Sequence, residues 1–165
     1  GATLNTSSST FSSPPDTIDE VNNPKGTVFA DWMVNVGGSP TRLQIPIGTG
    51  TGKNTCAAVD NTKTERWVYW ENGGTQYPQM FQFTTPTEQS VENRCGKVVF
   101  SDMHVSGDSD SSSGTPFPNQ CASSELTPQE KALAFMFFDI ASCVGPPIGR
   151  EVPAADRVDW PSPRE

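Results

Sequence analysis

An aspartate two residues before a histidine, at the end of an apolar run, has the makings of an acid–base pair. The stretch CGKVVFSDMHVSGDSDSSSG, Cys95 to Gly114, holds Asp102 and His104, and His104 is the only histidine of the chain. Residues two apart on an extended strand share a face, so the carboxylate can orient the imidazole and bias its protonation. The same arrangement satisfies a buried histidine with no ligand present. Ser101 cannot complete a hydrolase triad with them, because it points to the opposite face. Asp102 and His104 are thus the only catalytic candidates, and the balance of the reading is against an enzyme.

Three other patterns could carry chemistry. The acidic loop from Asp108 to Gly114 offers Asp108 and Asp110 as calcium ligands. Its glycine comes one place late, however, and its twelfth position is Asn119 rather than glutamate. Calcium is therefore the one cofactor to consider, and the expectation is none. In RWVYW, the side chains of Trp67, Tyr69 and Trp70 could form an aromatic platform for a carbohydrate, although large aromatics on a strand usually pack a core. The glycine-rich GTGTGKNT, Gly48 to Thr55, fails as a phosphate loop. Ile47 stands where the leading glycine belongs, and Asn54 follows the lysine.

The four cysteines, Cys56, Cys95, Cys121 and Cys143, make no CxxC pair, which argues against a zinc ribbon or a dithiol redox motif. Lengths suggest a pairing. A strand over Lys97–Met103 would span roughly 23 Å, and a helix over Pro128–Ser142 roughly 22 Å. A helix returning along that strand brings Cys143 beside Cys95 and leaves Cys56 for Cys121. The alternative is that some or all of them are buried free thiols. Few lysines, many Ser, Thr and Asn, and an even cysteine count point to an extracytoplasmic setting: secreted, periplasmic or cell-surface.

Charge narrows the partners. The chain carries a net charge of -8 with a pI near 4.5, and its eleven basic residues are scattered, so no footprint for nucleic acid exists. No apolar run reaches the length of a membrane span, and no leader is visible ahead of Gly1, which suggests a processed product or a piece of something longer. At 165 residues with 33% hydrophobic content, one domain with a small core and a low helix content is expected.

The elements that must position these residues follow from local patterns. Residues 1–26 are an extended arm that only Leu4, Phe11 and Ile18 could pin. Residues 27–144 form the domain, and 145–165 a Pro-rich tail in which Trp160 could anchor. TVFADWMVNVGG predicts a helix capped by Thr27, with Val28, Trp32 and Val36 as its stripe, widened by Phe29 and Met33. RLQIPIG predicts an edge strand ending near Pro46. RWVYW and MFQF predict two strands around a turn at Asn72-Gly73-Gly74, paired as a hairpin or placed apart in the sheet. KVVFSDMHV is apolar enough to predict a central strand covered on both faces. ELTPQEKALAFMFFDIASCV predicts the strongest helix. Thr127 and Glu130 form a capping box with Pro128 at the first position. Leu133, Met136, Phe137, Ile140 and Ala141 supply a core stripe, and Phe135 and Phe138 a second buried face.

The blocks PKGTVFADWMVNVGG, RWVYW, FTTPTEQSVENRCGKVVFSDMHVS and FPNQCASSELTPQEKALAFMFFDIASCV cover about Pro24 to Val144. Together they resemble the C-terminal module of large multi-domain bacterial proteins, secreted or cell-surface, that also carry immunoglobulin-like or carboxypeptidase-regulatory-like repeats. The strand ending in histidine and the helix after it are also similar to the last βα unit of class I glutamine amidotransferase-like and ThuA-like domains. That likeness implies an α/β fold, a flavodoxin-like fragment whose small mixed or parallel sheet is covered by the C-terminal helix, with long arms at both ends. An amidotransferase would need a cysteine on a glycine-flanked elbow, and Cys56 in KNTCAAVD has none. The expected function is a non-catalytic extracytoplasmic structural or interaction module, an accessory subunit held to other protein chains. The alternative is a hydrolase-like or ligand-binding α/β domain that uses Asp102 and His104.

Overall fold

Residues 1–7, 9–11, 15–48, 52–103 and 125–142 are described by a computed structural model. His104, the acidic loop with Asp108 and Asp110, Cys121, Cys143 and the Pro-rich tail with Trp160 lie outside the described residues. In chain order the elements are β1 (Ala2–Leu4), β2 (Thr10–Phe11), β3 (Asp16–Ile18), α1 (Gly26–Asn35), β4 (Gln44–Ile45), β5 (Gly52–Lys53), β6 (Cys56–Val59), β7 (Glu65–Asn72), β8 (Thr75–Thr85), β9 (Gly96–Ser101) and α2 (Pro128–Ser142).

The fold mixes helices with sheet, as expected, but every described strand pairing is antiparallel, which overturns the flavodoxin-like, parallel-sheet expectation. The reason lies in the connections. Gly73 and Gly74 sit at φ 57° and 81°, a backbone that closes a tight hairpin between β7 and β8. The link from β8 to β9 holds only a short 3-10 turn, Val91–Asn93. A parallel crossover needs a dozen or more residues, usually with a helix. The main sheet therefore runs β4-β3-β7-β8-β9, while β1 pairs with β6 and β2 with β5 in separate two-stranded ribbons. The segment read as a mere arm thus places β3 between β4 and β7, and Ile18 is buried there while Leu4 is exposed.

β9 is an edge among the described strands rather than a central one. Its apolar run KVVF suggested double coverage, yet Val98 is exposed and its neighbours are only partly buried. In an edge strand the two faces bury unequally, and a run of apolar residues does not reveal it.

Both helices contribute to one core with the sheet: Phe29, Ala30 and Met33 of α1, Ala132 and Met136 of α2, with Ile18, Ile45, Trp67, Val68, Met80 and Met103. α1 begins at Gly26 after Lys25, so Thr27 lies inside the helix and caps nothing. The first turn is closed instead by Asn23, whose Oδ1 accepts the Lys25 N–H at 2.9 Å. Gly26 is required there, since a β-carbon would stand 2.2 Å from the Asp19 carbonyl oxygen. The stripe of α1 is likewise rotated: Phe29 and Met33 face the core, and Val28 faces out.

α2 has the predicted bounds and the predicted cap. The Glu130 N–H donates to Thr127 Oγ1 at 3.2 Å, and the Thr127 N–H donates to Glu130 Oε2 at 2.7 Å. Replacing Thr127 by alanine is expected to cost about 1 kcal/mol, a fall of roughly 2–4 °C in melting temperature; calorimetry checks it. The buried stripe, however, is Gln129, Ala132, Met136 and Asp139, while Phe137, Phe138, Ile140 and Ala141 are exposed. Polar residues turn inward because partners meet them. Gln129 Oε1 accepts the Gly48 N–H at 3.0 Å. Asp139 receives Lys25 Nζ at 2.6 Å, and also Lys97 Nζ from β9. Burial alone would raise the Asp139 pKa, but the two ammonium groups outweigh it and hold the carboxylate below its ordinary range.

Candidate functional site

Asp102 closes a hydrogen-bonded seam just beyond β9. Its N–H donates to the Gln79 carbonyl at 2.7 Å, and its Oδ2 accepts the Thr55 N–H at 3.0 Å. Gln79, buried in β8, continues the seam: its Nε2 donates to the Lys53 carbonyl at 2.6 Å, and its Oε1 accepts the Lys53 N–H at 3.4 Å. Asn54 then holds the N-terminal segment, accepting the Ser9 N–H at 2.7 Å on its side chain and the Asn5 side-chain amide on its carbonyl. Backbone groups of β5, of β8 and of the residues flanking the short strands are satisfied in this way, in a region where ladders of two to four residues cannot do so. The Asp102 carboxylate is engaged in structure.

Cys56 lies beside this seam and is fully buried, with Ala58 and Thr3 carbonyls accepting from its thiol at 3.5 and 3.7 Å. Burial pushes the thiol pKa up, the Ala58 contact offsets part of that, and the nearby Asp102 charge raises it again. A thiol held protonated is a poor nucleophile and a poor metal ligand. Cys56 and Cys95 are not bonded to each other. Their expected partners, Cys121 and Cys143, fall outside the described residues. Among the described residues no group of three or more His, Cys, Asp and Glu side chains is placed to hold a metal ion.

The three aromatics of RWVYW do not form one platform. Trp67 is fully buried, edge-on to Phe29 at 5.7 Å and to Phe135 at 5.6 Å, so no ligand reaches its face. Tyr69 lies under the Arg66 guanidinium, 4.3 Å from its ring centroid. Trp70 is buried and stacked on Tyr77 at 5.3 Å. Two bulge-like register shifts near Val68 redirect these side chains, and neither is visible in the spacing of the aromatics.

The surface that the geometry does assemble lies on the helices. Phe135 stacks on Phe29 at 4.6 Å, Trp32 tilts against Phe135 at 5.9 Å, and Phe138 meets Trp32 edge-on at 5.8 Å. This aromatic column starts in the core at Trp67 and ends at the surface on Phe138, which is 62% exposed beside Phe137 at 61%. Ile140 of α2 and Val28 of α1 are exposed as well. The signal for it was present as FMFF, but which of these phenylalanines faces out depends on where Asp139 finds its lysines.

Three further charged residues escaped the reading of the sequence. Arg66 Nε pairs with Asp19 Oδ2 at 2.6 Å, both buried, and Asp16 is fully buried with neither carboxyl oxygen hydrogen-bonded. Nothing local marks either aspartate within a polar arm. Among the described residues, no helix is long and apolar enough to cross a membrane. No protein-family model, curated protein or solved structure matches this chain, so the meaning of its surfaces rests on its own residues.

Proposed function

We propose that the chain is a non-catalytic extracytoplasmic structural or interaction module, an accessory piece of a larger surface assembly, bound to other protein chains through α2. The observation that carries this reading is the exposed aromatic end of the column, Phe137 and Phe138 with Ile140. Large apolar side chains grouped on one helix, and braced from below by Trp32 and Phe135, are the composition of an interface core. The engagement of Asp102 by Thr55 and the protonated state of Cys56 weigh against the ligand-binding or hydrolase-like alternative. The resemblance to C-terminal modules of secreted multi-domain bacterial proteins, and the composition, support the extracytoplasmic setting.

Native mass spectrometry of the protein from its source tests the proposal, alongside the double variant Phe137→Ser with Phe138→Ser. The wild-type chain is expected in discrete complexes with other chains. The double variant, folded by circular dichroism, is expected to lose at least about tenfold of that complex, since aromatic anchors carry most of an interface's free energy. A monomer in both samples would sink the reading.

A further inference from the structure

Asp16 is the one described carboxyl that is fully buried with neither oxygen hydrogen-bonded. It leads β3, two residues before the core residue Ile18 and therefore on the same face of the strand. Across the sheet it registers with Ile45 on β4, and continuing the β3–β7 register places Trp70 on its other side. Among the described residues no charge compensates it. The charged groups of the elements around it are committed elsewhere: Arg66 to Asp19, Glu65 to Gln82, Glu71 to Gln76, Asp31 to Arg42 and Lys25 to Asp139. β4, Gln44–Ile45, has no titratable residue.

The chain around Asp16 is built to yield on one side only. Beyond Asp16, β3 is anchored: the Ile18 N–H donates to Leu43, the Asp19 N–H to Trp67, each at 2.9 Å, and Asp19 is paired with Arg66. At Asp16 the ladder thins: the residue registers with Ile45 of β4, and the pairing with β7 begins only at Thr17. The end of a ladder opens at small free-energy cost.

We propose that Asp16 is a pH-gated latch: protonated, it seats the start of β3 in the sheet, and ionised, it drives the start of β3 to open toward water. Burial raises its pKa from 3.8 to about 7. In the open state the group regains its ordinary value and sheds its proton at lower pH. The closed state therefore binds more protons between about pH 4 and 7, and it weakens as pH rises through that window. Above about 7 both states are ionised and the effect levels off.

Hydrogen exchange on the full chain, read by NMR at the amides of Asp16 and Thr17 and corrected for intrinsic rates, measures the opening. Protection at these sites is expected to fall at least about tenfold from pH 5 to pH 7, with a limit of roughly fifty-fold set by linkage. Ile18 and Asp19 are expected to keep theirs. In Asp16→Asn the pH dependence is expected to vanish. Equal protection at both pH values, or the same dependence in Asp16→Asn, would overturn the latch. Should that variant not fold, a carbon-13 titration of the aspartate carboxyls in the wild-type chain decides. One carboxyl titrating near 7 supports the latch, and all titrating below about 5 refute it.

Discussion

Arg66→Ala is expected to destabilise the protein by about 3–5 kcal/mol, because it leaves Asp19 buried and charged with its cationic partner gone. Such a loss is a large part of the about 5–15 kcal/mol that holds a domain together. The environment explains the size. Asp19 is 2% exposed and Arg66 7%, so neither can turn to water without breaking the packing around it. Arg66 also donates to Gln76 at 2.8 Å and lies over the Tyr69 ring, so its guanidinium ties β7 to β8 as well as to the residue after β3. Asp19 Oδ1 in turn accepts the Val21 and Asn22 N–H groups, at 3.0 and 2.9 Å, and shapes the turn into α1.

The pH dependence of this variant has a definite sign. Burial would raise the Asp19 pKa, but hydrogen bonds from Asn22 and Arg66 outweigh it, so the folded value lies below the ordinary 3.8. The wild-type pair therefore adds stability that is present above about pH 4 and is lost as pH falls through the lowered value. Without Arg66 only Asn22 opposes the burial effect, so the folded value in the variant lies above that of the wild type. Urea denaturation at pH 7 and pH 3 should show the gap between Arg66→Ala and wild type shrinking in acid. The double variant with Asp19→Ala should recover about 1–3 kcal/mol relative to additivity. A cost under about 1 kcal/mol at pH 7 would mean that the pair is not what holds β3 to β7.

Trp67→Ala is the second large effect, about 3–5 kcal/mol from lost burial and the cavity left behind. The indole is fully buried between Phe29 of α1 and Phe135 of α2, so its removal loosens both helices from the sheet. Trp67→Phe should cost less than half as much, because the indole Nε1 is buried without a hydrogen-bond partner and nothing polar is lost with it. Thermal melts of the two variants separate a packing role from a hydrogen-bonding one. Similar costs for phenylalanine and alanine would contradict the packing account.

The two predictions share a physical theme: buried groups far apart in sequence hold this small core together. What the residues make legible is therefore uneven. The bounds of α2 were readable because Thr127, Pro128 and Glu130 act on one another within a single turn. The turn at Gly73 and Gly74 was readable because only such residues tolerate its backbone. The inward face of α2 was not, since it is chosen by Lys25, Lys97 and Gly48, distant in the chain. An apolar stripe assumes that polar residues face out, and Asp139 and Gln129 break that assumption because partners compensate their burial. The site at Asp102 shows the same division. Its place at a strand end was visible, but its engagement by Thr55 depends on a segment 47 residues away.

By itself the sequence determined the local elements whose signals lie within a few residues: the capped helix Pro128–Ser142, the turn at Gly73 and Gly74, the presence of a short helix around Phe29 to Met33, and the acidic, lysine-poor composition. Tertiary structure alone decided that the N-terminal segment enters the sheet as β3, that Trp67 packs the core while Phe137 and Phe138 face solvent, and that Asp16 is buried without a partner. Strands of two or three residues have no periodicity to read, and their hydrogen bonds come from partners such as Val59 for Ala2 and Ile45 for Asp16. Burial of a charge, likewise, is a property of what closes over it, and that is set only when the whole chain has folded.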